Sequence, residues 1–267
     1  MLCEIEKRKC VWLIVRVFFT ILVATYFAII AAVVVHEAVG HGLVAMALGG
    51  DFRGIGIYWD GMGWADVDII RLSPVRQAMV FAGGFISTTI VAAILFFSSF
   101  RLRKKPFSGV VITPIAFAFL MDGAPYFFWD GIFKGGIGDV SGILRLYPGK
   151  ALQIFIISSS AVLILGGIIL FNALMYRNLR LIFSSEKNNR KTGIIIAAVL
   201  FALQTLAWLS FDWSQIVTVS GINLWAHLTH IALTAICLGS VVAIVERRKN
   251  MFDTDGMSGN NKCDERC

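Results

Sequence analysis

The stretch Val33-Val34-Val35-His36-Glu37-Ala38-Val39-Gly40-His41-Gly42-Leu43-Val44-Ala45 sets two imidazoles and a carboxylate inside an otherwise unbroken apolar run. An ionisable side chain within a membrane span costs about 2.5 kcal/mol or more, so such groups mark a functional site with a partner close by. Three of them within six residues point to a metal. The apolar run itself extends over residues 11–48. As a helix it reaches roughly 57 Å, against a hydrocarbon core of about 30 Å, so part of it extends beyond the core, tilts or breaks.

Outward from that stretch, further apolar runs fall at residues 77–100, 110–133, 151–176, 193–211 and 224–245. The chain has 267 residues, 57% hydrophobic and only 15% charged, where soluble domains carry roughly 25% charged residues. The expected fold class is therefore an all-α polytopic membrane protein with about six transmembrane helices. A small surface β-hairpin follows the first of them. Gly49-Gly50 ends the helix, and residues 52–68 then alternate around the Asp60-Gly61 turn.

The net charge of +7 is not the footprint of a nucleic-acid binder. Of 24 Lys and Arg, 18 cluster in four places: before or at the start of span one, between spans two and three, between spans four and five, and after span six. The positive-inside rule then puts both termini in the cytoplasm, and a lipid bilayer, not nucleic acid, is the expected surrounding. His36 and His41 fall toward the outer half of the bilayer in that orientation. The expected layout is a cytoplasmic tail at 1–10, a core at 11–176, a cytoplasmic loop at 177–192, two further spans within 193–245, and a disordered cytoplasmic tail at 246–267. Four of the five cysteines fall in those tails, where disulfides rarely persist.

His36-Glu37-Ala38-Val39-Gly40-His41 nearly matches H-E-x-x-H, in which two His one helical turn apart bind zinc and the Glu activates water. It carries one residue too many. On a regular helix, positions four apart are rotated by roughly 40°, but positions five apart by roughly 140°. A π-bulge absorbs one extra residue and returns His41 to the face of His36, and Gly40 would ease the distortion. The spacing H-E-x-x-G-H resembles the zinc motif of dipeptidyl peptidase III, over those six residues. The competing arrangement is a regular helix with Glu37 paired to His41 at i,i+4 and His36 pointing elsewhere.

The next span carries Ala82-Gly83-Gly84 near its start, small residues that allow close packing on the motif helix. A membrane-embedded H-E motif, then Leu48-Gly49-Gly50, a Gly-rich hairpin and a helix with an Ala-Gly-Gly element, resembles the site-2 protease family of intramembrane zinc metalloproteases, particularly its small bacterial-type branch. The resemblance runs from about Val33 to Ala151. It implies that residues 11–176 are a metalloprotease core and that the third zinc ligand is a later Asp followed by small residues and an Ile/Val-Leu-Arg element. Asp139-Val140-Ser141-Gly142-Ile143-Leu144-Arg145 fits best. Asp139 is also placed to N-cap a short helix there. Asp130 and Asp122 are rivals, because Asp122-Gly123-Ala124-Pro125 through Asp130-Gly131 partly follows the family's Asn-to-Asp-Gly element with Asp122 at the Asn position.

The implied site is therefore His36, His41 and Asp139 on Zn2+, with Glu37 as general base in hydrolysis of a peptide bond of a membrane-protein substrate. The hairpin at 52–68 could hold that substrate extended by edge pairing. A second reading is a catalytically inactive scaffold or a transporter in which Glu37, Asp122, His227 and His230 form a polar pathway. A third is zinc-dependent hydrolysis of a lipid amide or ester. His227 and His230 share a helix face and are expected to hydrogen-bond to neighbouring helices, as are Thr88, Thr89 and Asn172.

Overall fold

In hydrocarbon every backbone N–H and C=O has to be satisfied within its own segment, so long apolar runs become helices. Four helices long and apolar enough to cross a membrane are present in the computed structural model, which describes residues 2–57, 63–133 and 138–182. They cover Val15–Leu48, Pro74–Arg101, Pro106–Ile132 and Lys150–Ile182. The expected spans at 193–211 and 224–245, the pair His227 and His230, the Asp60-Gly61 turn and the tail at 246–267 lie outside the described residues.

The first span is built from α1 (Leu2–Val34), a π-helical segment (Val35–Leu43) and α2 (Val44–Leu48). Gly49 stops it in the left-handed conformation, φ +92°, where a side chain would be strained. The freed carbonyls of the last turn are taken up at once: the Gly49 N–H donates to Met46 O at 3.1 Å and the Gly50 N–H to Ala45 O at 2.8 Å. Strands β1 (Asp51–Ile57) and β2 (Gly63–Asp68) then pair antiparallel, from Asp51 opposite Asp68 to Ile57 opposite Gly63. A register shift between Phe52 and Gly54 leaves Arg53 as the extra residue of the pair. The Phe52 ring lies where a side chain at Gly42 would be, which presses the hairpin onto the π-helical segment.

Helix α3 (Pro74–Arg101) has two faces of different character. Val80, Gly83, Gly84, Thr88, Ala92 and Phe96 are buried, whereas Ile86, Ile90, Ile94 and Phe97 form an exposed apolar stripe. A large exposed apolar stripe at helical spacing is a lipid-facing surface. Helix α4 (Pro106–Phe133) runs through Pro114 and Pro125, and α6 (Lys150–Ile182) packs along it. Phe117 and Phe171 meet with ring centroids 4.5 Å apart, in a core shared with Leu120, Ala124, Ile168 and Met175. The short α5 (Asp139–Leu146) lies between α4 and α6 in sequence and packs against α3.

Thr88 and Asn172 bond within their own helices, contrary to the interhelical contacts expected for them, and the buried Thr89 hydroxyl has no hydrogen-bond partner among the described residues. Thr88 donates to its own helix at Gly84 O (3.1 Å) and Phe85 O (3.2 Å), and the Asn172 amide to Ile168 O (2.9 Å). In an apolar medium the carbonyl one turn back is always within reach, and it wins over a distant partner. Ser99 and Thr113 do bridge two helices, with Oγ and Oγ1 2.6 Å apart, tying α3 to α4.

Candidate metal centre

The inserted residue of the motif is absorbed by widening the helix. Val35–Leu43 is π-helical, so backbone bonding runs i→i+5 and residues five apart stand a turn apart. His36 and His41 accordingly face one another, with ring centroids 5.0 Å apart. The paired arrangement of Glu37 with His41 on a regular helix is not what forms. Ser87 on α3 brings its hydroxyl to 3.3 Å from the Val35 carbonyl, the first of the widened segment.

Close approach of α3 makes room for the rings. A methyl group at Gly40 would collide with the backbone of Gly83 and Gly84, so the two helices touch main chain to main chain. A methyl group at Gly84 would collide with the His36 imidazole and come within 2.8 Å of His41 Nε2. Gly84 is therefore the floor on which both rings rest.

Each imidazole is oriented from its Nδ1 side. His41 Nδ1–H donates to the Val80 carbonyl at 2.8 Å. His36 Nδ1–H donates to Asp122 Oδ2, also at 2.8 Å. With both Nδ1 atoms committed as donors, each neutral ring presents Nε2 as a lone pair. Both lone pairs face one carboxylate oxygen: Asp139 Oδ2 is 3.4 Å from His36 Nε2 and 3.3 Å from His41 Nε2. His36, His41 and Asp139 can each offer one ligand atom, all within 4.8 Å of one another. Lone pairs on three sides, without a donor among them, are the chemistry of a cation site.

A family model described as Peptidase M50B-like matches residues 9–178, which takes in the π-helical segment, the hairpin, α3, α4 and α5 and most of α1 and α6. The chain belongs to this family. No curated protein and no solved structure matched. Family membership and four apolar helices together make the chain an integral membrane protein and indicate a metallopeptidase.

In this M50B-like peptidase the other two candidate aspartates do different jobs. Asp122 meets the first imidazole from behind, on the Nδ1 side. Asp130 is buried and faces α5: the Ser141 N–H donates to Oδ2 at 2.9 Å and the Ser141 hydroxyl to Oδ1 at 2.6 Å. It thus caps the first turn of α5 from another helix. Asp139 does not N-cap α5 as its position allowed. Gly138 takes the N-cap place, Asp139 opens the helix, and its N–H donates to the Tyr126 hydroxyl at 3.3 Å. Released from capping, the Asp139 side chain is free to reach the imidazoles.

Glu37 lies on the π-helical segment beside β2, where a methyl group at Gly63 would meet its Cγ at 3.2 Å. Its carboxylate makes no hydrogen bond to a described residue. The roles of Asp122, Val80 and Tyr126 in holding the site were not legible in the sequence. The nearest signal for Asp122 is its place in the Asp122 to Asp130 element, which marked it as a rival ligand and not as a partner of His36.

Proposed function

We propose that this chain is a zinc-dependent intramembrane endopeptidase, in which His36, His41 and Asp139 hold the metal and Glu37 is the general base. The observation that carries the reading is the convergence of His36 Nε2, His41 Nε2 and Asp139 Oδ2 with both Nδ1 atoms already spent. Their 3.3 and 3.4 Å separations agree with the roughly 3.4 Å edge of a tetrahedron of donors about 2.1 Å from zinc. A donor set of two nitrogens and one oxygen leaves one position open, as catalytic zinc sites do. Zinc held there supplies Lewis acidity, which acidifies water and polarises a carbonyl.

The remaining work falls to the protein. Glu37 takes a proton from the attacking water as its oxygen bonds to the scissile carbonyl carbon. It returns that proton to the amide nitrogen as the C–N bond breaks, so an acid and an amine leave and Glu37 is regenerated. Asp122 and the Val80 carbonyl keep both imidazoles in the tautomer that turns Nε2 inward. The substrate is a membrane-embedded or juxtamembrane segment of another protein, locally unwound, and β1–β2 beside Glu37 is placed to pair with it in extended form. Charge distribution supports termini on the cytoplasmic side, with the site toward the outer half of the bilayer.

The test is zinc content per chain together with cleavage of a panel of single-span model substrates by the purified full chain. About one zinc per chain is expected in the wild type and in Glu37→Gln. Zinc should be lost in His36→Ala, His41→Ala and Asp139→Ala, and cleavage in all four variants. A folded wild type that takes up no zinc when supplied with it overturns the reading in favour of a scaffold.

A further inference from the structure

Beside α5 lies a cleft of about 400 Å³, between Ser141 and Arg145 of that helix, Gly149, and Lys150 and Gln153 at the start of α6. Two cations line it, and no carboxylate does among the described residues. Asp130 is turned to Ser141, with both oxygens bonded to it. Arg145 spends only Nε, which donates to the Ser141 carbonyl at 3.3 Å and steadies the side chain along α5. Its Nη groups and the Lys150 ammonium have no partner among the described residues. Gln153, which also lines the cleft, is anchored through Nε2 on the Gly131 carbonyl at 2.7 Å. The first N–H groups of α6, free of helix partners until Gln153 bonds to Gly149, add to the positive end of the site.

The position of the cleft decides what kind of anion it would meet. Ile154 and Phe155, the next two residues along α6, are 63% and 68% exposed and begin the apolar face of a membrane-spanning helix. The cations therefore stand at the edge of the hydrocarbon, where a phosphate is followed at once by acyl chains. We propose that this cleft binds the phosphodiester of an anionic phospholipid, with Arg145 and Lys150 on the phosphate and Ile154 and Phe155 along the acyl chains. Arg145 and the candidate ligand Asp139 share one short helix, so a bound headgroup braces the element that presents Asp139. The binding itself does not depend on the chain being a peptidase.

The experiment is retention of phosphatidylglycerol against phosphatidylcholine by the purified full chain, measured by native mass spectrometry. Wild type, Lys150→Gln, the double variant Arg145→Gln/Lys150→Gln, and Arg103→Gln/Lys104→Gln on the opposite basic rim are compared. One retained phosphatidylglycerol per chain, weakened about fivefold in Lys150→Gln and about 30-fold in the double variant, is expected from the worth of a basic side chain near an anionic headgroup. The rim variant should retain it as the wild type does. Lys150 is exposed, so its single variant keeps the test alive should the double variant fold poorly. Equal retention of both lipids, or unchanged retention in Lys150→Gln, overturns the proposal. Displacement of the lipid by inorganic phosphate at about 10 mM would also overturn it, because the site would then take the free ion and not the headgroup.

Discussion

His36 and Asp122 are 86 positions apart in sequence, and their Nδ1 and Oδ2 atoms lie 2.8 Å apart behind the candidate metal centre. The carboxylate fixes the ring by accepting its only N–H, so the opposite nitrogen is left as a base. Carboxylate partners of this kind are worth about 10–100-fold in metal affinity. Asp122→Ala should therefore weaken zinc binding by about that factor, and Asp122→Asn less, since the amide oxygen can still accept. Competition with a chelator of known affinity measures it. Unaltered affinity in Asp122→Ala would mean that the Nδ1 contact orients nothing.

Asp130 and Asp139 should separate cleanly. Asp139→Ala removes a donor and should abolish zinc. Asp130→Ala leaves the Ser141 N–H and hydroxyl without acceptors in a buried place, a cost of about 1–3 kcal/mol for each group. Its zinc stoichiometry should survive while the melting temperature of the purified protein falls. Zinc lost in Asp130→Ala with stability unchanged would make Asp130 the ligand.

Gly84 tests the floor beneath the imidazoles. Gly84→Ala drives a methyl group into His36 and toward His41, and overpacking of this kind costs about 1–3 kcal/mol. The expected outcome is loss of zinc with helix content retained, by circular dichroism beside metal analysis. Gly166→Ala, where a methyl group meets nothing within 4 Å, is the matched control and should behave as the wild type.

The charge distribution predicts an orientation that labelling can read. In a background with the native cysteines replaced, a cysteine at Asp66 on the hairpin should react with an impermeant maleimide from outside the cell. One at Lys104, between α3 and α4, should react only after the membrane is opened. The reverse pattern would turn the whole chain over and put the site nearer the cytosol.

The membrane helices were legible because a run such as residues 151–176 leaves hydrocarbon no alternative to a helix. The hairpin was legible from alternation between glycine stops, and its strands run Asp51–Ile57 and Gly63–Asp68. The widened turn was legible too, since His36 and His41 five apart could share a face only on a helix with more residues per turn. What holds the imidazoles was not. The Val80 carbonyl, the Asp122 carboxylate and the Gly84 floor come from α3 and α4, and which of their residues face the motif is set by helix packing, not by local pattern. Asp130 was ambiguous for the same reason: an acid at the end of a span reads alike whether it binds an ion or caps a neighbouring helix.

The π-helical segment also confines the extra residue to a single turn. Five residues close the widened turn where four would close an ordinary one, so the surplus between His36 and His41 is not passed on to the rest of the chain. Leu2–Val34 lies against α4, and Phe52 of the hairpin is seated on Gly42. Deleting Val39 would give His-Glu-Ala-Gly-His on a regular helix, with His41 about 40° from the face of His36 and both seats little rotated. The change would be local, at the Gly40 backbone that lies against Gly83 and Gly84. Two spacings of the motif are thus alternative solutions for one and the same bundle.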